Sequence, residues 1–162
     1  MTNILKKRRI YGKITKNGGD MEKIVVSACL LGEACRYDGK SKPNSDIIEL
    51  GKKYELIPIC TEVMGGLPIP RLPSERAGDR VLRVDGADVT REYKKGAEAS
   101  LKIAIENKCA LAILKARSPA CGSNFIYDGT FTGTLTCGNG VCAELFIKNG
   151  IRVIDEEHLK EI

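Results

Sequence analysis

The sequence predicts a single α/β domain on a mostly parallel sheet, and three observations predict it. Short apolar segments alternate with helical patterns, as in strand–helix–strand units. The segments 23–29 (KIVVSAC), 56–60 (LIPIC) and 110–116 (ALAILKA) are apolar without alternation, as strands covered on both faces are. Cys29, Cys60 and Cys121 stand at or just beyond the ends of these strands, and a parallel sheet brings its strand carboxyl ends to one crevice.

The first strand, 23–29, leads into a loop over 30–43. A helix is expected from Ser45, a good N-cap, to Tyr54, with Ile47, Ile48 and Leu50 inward and Lys52–Lys53 favourable at its C-terminal dipole end. After strand 56–60, the breakers Gly65, Gly66, Pro68, Pro70 and Pro73 predict a long loop without regular structure to residue 80. Residues 80–84 alternate as a short strand, and Asp85-Gly86 signals a turn. Thr90 is expected to cap the longest helix, to about Asn107, with Tyr93, Ala97, Leu101, Ala104 and Ile105 on the buried face and Gly96 slightly weakening its interior. Strand 110–116 then enters ARSPACGSNFIYDGTFTGT, which is rich in small and turn-forming residues. A helix over about 140–148 leads through Gly150 to a last strand, 151–154, and a charged terminal turn.

At 162 residues the chain is long enough to bury a core without disulfides or a structural metal. No signal peptide is recognisable, and no stretch reaches the roughly 20 apolar residues that span a bilayer, so a cytoplasmic protein with no membrane partner is expected. Thiols stay reduced in that compartment, so the seven cysteines point to metal binding, catalysis or burial rather than to a disulfide framework. The net charge of +5 is uneven: residues 1–20 hold Lys6, Lys7, Arg8, Arg9, Lys13 and Lys16 against Asp20 alone, leaving 20 basic and 20 acidic residues in 21–162. The chain therefore divides into a basic N-terminal extension, 1–20, and a neutral domain, 21–162. The extension is either an arm able to contact RNA phosphates, such as those of tRNA, or sequence upstream of a start at Met21.

Three thiolates at one crevice suggest a metal or iron–sulfur site, and three ligands rather than four would leave one position open to a substrate. Zinc sites commonly carry paired C-x2-4-C knuckles, which are missing here, and widely spaced thiolates suit zinc and iron–sulfur clusters alike. Cys35, six residues beyond Cys29, and Cys137, in TLTCGNGV, are reserve ligands. Cys109 and Cys142 read as core residues, and His158 as a solvated histidine of the terminal turn.

The blocks SACLLGEACRYDGKSKPN, CTEVMGGLPIPR, LKARSPACGS and YDGTFTGTLTCGNGV, in that order over about residues 22–155, resemble a small bacterial family long called a domain of unknown function and related to thiouracil and thiouridine desulfidases. The resemblance implies a Rossmann-like α/β domain with a [4Fe-4S] cluster on Cys29, Cys60 and Cys121, and a fourth iron free to take the sulfur of a thiolated base or nucleotide. The usual C-P-E of the family is here Cys60-Thr61-Glu62, and the segment around Cys137 more often lacks a cysteine. The best-characterised desulfidases are further expected to carry an additional domain.

Desulfuration without redox change needs a Lewis acid for sulfur, an activated water and donors for developing charge. Glu62 is the candidate general base, or else a carboxylate paired with Arg71 or Arg117. Ser118 is a candidate donor or relay, or else a turn serine; Asp38 is a second acid/base, or else a cap for the turn before Gly39. Arg36, Lys115 and Arg117 would hold a substrate phosphate unless they are engaged in structural pairs. Two rival functions remain: a sulfur transferase with a persulfide on Cys137 or Cys35, and a zinc- or cluster-stabilised RNA-binding module using the basic arm.

Overall fold

The computed structural model describes residues 20–162. In chain order it contains β1 (Lys23–Ser27), α1 (Ser45–Leu50), β2 (Glu55–Ile59), α2 (Thr61–Met64), β3 (Ser74–Ala77), β4 (Arg80–Arg83), α3 (Thr90–Glu106), β5 (Leu111–Leu114), β6 (Phe125–Tyr127), β7 (Leu135–Cys137), α4 (Val141–Lys148) and β8 (Arg152–Asp155). Single 3-10 turns occupy Ala28–Leu31 and Leu159–Glu161. The basic residues Lys6 to Lys16 lie outside the described residues.

Four strands form one parallel sheet in the order β2-β1-β5-β8. Val25 pairs with Ile57 on one side and Ala112 on the other, and Ile113 pairs with Ile154. Alternation along β1 sends Val25 to the face carrying Tyr93, Ala97 and Phe146 of α3 and α4, and Ile24 and Val26 to the face carrying Ile47 of α1. Both faces are thus covered, which is why the strands read as continuous apolar runs. The chain leaves β1 toward β2 at one side and returns to place β5 at the other. That reversal of direction puts a crevice at the carboxyl ends of β1 and β5.

Several expectations need correction. The segment 61–80 does carry regular structure: α2 follows Cys60 directly, and β3 pairs antiparallel with β4. Its breakers instead bound two short elements. Helix α1 ends at Leu50, its N-cap is Asn44, whose side chain accepts from Ile47 N, and Lys52 and Lys53 fall in the turn beyond it. Ile47 is buried and Leu50 is half-buried against the same core cluster, whereas Ile48 is exposed. On α3 the N-cap is Val89, while Thr90 Oγ1 accepts from Val81 N and so ties the helix to β4. Ile105 is exposed in the last turn. Residues 125–137, read only as small and turn-forming, contain the β6–β7 hairpin.

Gly96 has a packing reason rather than a merely tolerated cost. A Cβ there would lie 1.8 Å from Thr61 O and 3.0 Å from Gly65 N, so α3 meets the backbone of α2 with no room for a side chain. That contact seats α2, and with it the start of the site.

Candidate functional site

Each of the three strand-end cysteines is set by a different break in the sheet. Beyond β1 the chain turns at once into the 3-10 turn holding Cys29, because Gly32 at φ +97 closes it with its N–H on Ala28 O and Cys29 O. Cys60 is the N-cap residue of α2. Beyond β5, Arg117 at φ +65 redirects the backbone, and Ser118 Oγ accepts from Ala120 N and Cys121 N at 3.1 Å each, winding the SPAC turn around Cys121. Gly140 packs against that turn, where a Cβ would lie 2.4 Å from Ala120 O. All three cysteines line one cavity of about 480 Å³, together with Cys35, Glu62, Glu75, Ser118 and Tyr127. Cys29 and Cys121 are buried and Cys60 is half-buried.

Cys35 sits among them. Its thiol hydrogen-bonds to Cys29 and Cys60, which lowers the pKa of both and raises that of Cys35. The Cys60 thiol also donates to Cys35 O at 3.8 Å. Complete burial pushes the Cys121 thiol well above its ordinary value. Cys35 therefore belongs to the cavity, whereas Cys137 is exposed on β7 and outside the lining. Cys109, between α3 and β5, and Cys142, on the buried face of α4, belong to the core.

Glu62, in the first turn of α2, lines the cavity and has a donor on each oxygen. Arg71 Nη2 donates to Oε2, and the Tyr93 hydroxyl, reaching across from α3, donates to Oε1. Arg71 also donates to Cys35 O at 2.9 Å, so a single guanidinium links the carboxylate to the loop after Cys29. Burial and the neighbouring Glu62 carboxylate raise the pKa of Tyr93, which keeps it a hydroxyl donor. Tyr93 reads in the sequence only as one apolar position of a helix; its hydroxyl role depends on how closely α2 and α3 approach.

Asp38 does not line the cavity. Its Oδ1 accepts from Lys40 N at 3.0 Å and its Oδ2 lies 3.9 Å from Arg36, the arrangement of a turn-capping residue. Lys115 pairs with Glu156 at 2.5 Å, and Arg117 with Glu157 at 2.8 Å, so both cations are engaged in structural pairs. Glu156 Oε2 also accepts from Ala116 N at 2.7 Å, which fixes the exit of β5 just before the SPAC turn. His158 pairs with Asp155 and does not line the cavity. Among the described residues no helix is long and apolar enough to cross a membrane, and no group of three His, Cys, Asp or Glu could hold a single metal ion.

Comparison with known proteins follows the same architecture. The uncharacterized protein YbbK of Bacillus subtilis (strain 168) is 39% identical over 149 residues, covering 86% of this chain and 99% of YbbK. A solved structure titled as the [4Fe-4S]-dependent thiouracil desulfidase TudS superposes with a TM-score of 0.82 at 44% identity, covering 86% of this chain and 94% of its own. A family model described as 2-thiouracil desulfurase matches residues 24–158, from the first residues of β1 to beyond β8, and the chain belongs to that family.

Proposed function

We propose that this protein removes sulfur from a thiolated pyrimidine, such as thiouracil or thiouridine, using a [4Fe-4S] cluster held by Cys29, Cys60 and Cys121. The observation that carries this reading is the meeting of three strand-end thiols, Glu62 and Ser118 in one cavity, in a chain 44% identical to a desulfidase described as [4Fe-4S]-dependent. The donor set fits the group in kind: three cysteine thiols line one cavity, and thiolates are the ligands of such clusters. A hydrogen bond from the single Cys35 S–H favours the thiolate form of whichever of Cys29 and Cys60 receives it, the form that ligates. When bound, the cluster would supply a Lewis acid for the thiocarbonyl sulfur.

The chain's own residues then account for the rest of the reaction. Water replaces sulfur at the ring carbon: a C–O bond forms, the C–S bond breaks, sulfide leaves and no electrons are transferred. Glu62 is held against rotation by Tyr93 and Arg71, and each carboxylate oxygen retains a second lone pair with which to orient and deprotonate the water. Ser118 accepts two backbone N–H groups and retains its own proton to donate to charge developing on the ring.

Anaerobic reconstitution followed by iron and sulfide analysis, then 2-thiouracil turnover read by loss of thiocarbonyl absorbance, tests this directly. Cys29→Ser, Cys60→Ser and Cys121→Ser should each lose the cluster, whereas Cys109→Ser and Cys142→Ser should keep it and alter stability only. Full iron occupancy in one of the first three removes that residue from the ligand set, and a fully loaded wild type inert toward thiouracil and thiouridine sinks the activity.

A further inference from the structure

Glu75, on β3, has no part in the chemistry above, yet it is only 8% exposed and lines the same cavity as the strand-end thiols. Its Oε2 accepts two backbone N–H groups, from Gly129 at 3.0 Å and Phe131 at 2.9 Å. Both belong to residues 128–134, the loop joining β6 to β7. Three residues from this region, Tyr127, Phe131 and Gly133, also line the cavity. The loop is seated directly on β3, since a Cβ at Gly129 would lie 2.8 Å from Ala77 Cβ. Phe131 is held at φ +58, a conformation that a bulky residue keeps only where its surroundings impose it.

On the outer side, Asp128 Oδ1 accepts from Thr130 N and Oγ1, and the hydroxyls of Thr130, Thr132 and Thr134 follow one another at 2.7 and 2.9 Å. These bonds stay within the loop and stiffen it without attaching it to anything. Glu75 attaches it. The hydrogen bonds are charge-assisted and partly buried, the circumstance in which a carboxylate acceptor is strongest.

We infer that Glu75 is a positioning residue: its carboxylate clamps loop 128–134 as a wall of the cavity and so sets how tightly a flat heterocyclic substrate is held. The aromatic side chains of Tyr127 and Phe131 suit that wall to a planar ring. The substrate part of this inference rests on the desulfidase reading above; the clamp does not.

The test compares Glu75→Ala with Glu75→Gln. The amide keeps one oxygen able to accept both N–H groups, and its NH2 would take the place of Oε1, which has no hydrogen-bond partner among the described residues. Hydrogen exchange over residues 126–135 and iodoacetamide alkylation of Cys60 are read on cluster-free protein. KM and kcat for 2-thiouracil are read on reconstituted protein. Glu75→Ala should speed exchange and alkylation by about 10-fold or more and raise KM more than it lowers kcat, at unchanged iron content, while Glu75→Gln stays near wild type.

Exchange and alkylation unchanged in Glu75→Ala would overturn the clamp. Loop protection retained in Glu75→Gln together with lost turnover would overturn positioning in favour of proton transfer. Should Glu75→Ala not fold, Glu75→Asp withdraws the acceptor by one methylene, and the same loosening is expected. A loaded wild type that turns over no thiopyrimidine would sink the desulfidase reading, while exchange and alkylation still decide the clamp.

Discussion

Replacing Gly96 by alanine separates helix propensity from tertiary packing by the sign of its effect. Propensity alone makes alanine the better residue in a helix interior, by about 1 kcal/mol. In the structure the added Cβ would stand 1.8 Å from Thr61 O, about 1.6 Å inside the 3.4 Å of ordinary contact. The obstructing atoms, Thr61 O and C and Gly65 N, are backbone, so no rotamer change relieves the overlap and α2 must withdraw. Overpacking of this kind costs roughly 1–3 kcal/mol and more where backbone must move, so a net loss of about 2 kcal/mol is expected after the propensity gain. For a domain of this size that is a fall in melting temperature of about 4–8 °C, measured by calorimetry on the cluster-free protein. Because Cys60 is the N-cap of α2 and Glu62 its second residue, cluster occupancy and turnover should fall with stability. A Gly96→Ala protein as stable as wild type or more so would show that α2 is not wedged on α3, and the account of how Cys60 and Glu62 are placed would fail with it.

Glu62→Gln and Ser118→Ala should retain the cluster spectrum while lowering turnover by roughly 10²–10⁴-fold, the usual range for general acid–base groups; unchanged turnover in Glu62→Gln would move the base role to another group or to solvent. The hydrogen bond from His158 to Asp155, with the carboxylate charge beside it, raises the histidine pKa above its ordinary 6.5. Its contribution to stability is therefore full below about pH 6.5 and lost as pH rises through the raised folded value, so His158→Gln should destabilise at about pH 6 and have little effect near pH 9. Urea unfolding at the two pH values checks this, and an equal effect at both would refute the pairing.

The sequence by itself determined what depends on period and local chemistry. Strands covered on both faces appear as unbroken apolar runs, and β1, β2 and β5 were legible on that basis, as was the grouping of Cys29, Cys60 and Cys121 once the sheet was read as parallel. Cys109 and Cys142 are core residues for the same reason: each falls at a position where only burial is available. The short pieces were not legible. A four-residue helix such as α2, or hairpin strands of three and four residues such as β6 and β3, have too few positions to establish a period, and long-range contacts decide their state. Only the tertiary structure made Gly96 a contact surface, turned Tyr93 from an apolar helix position into a donor to Glu62, brought Cys35 between two strand-end thiols and left Asp38 outside the cavity. The same holds for Lys115 and Arg117, whose partners Glu156 and Glu157 lie about 40 residues away across β5 and β8. Hydrogen bonds and ion pairs are short-range in space but indifferent to separation along the chain, so the partner of a polar side chain is set by which strands become neighbours.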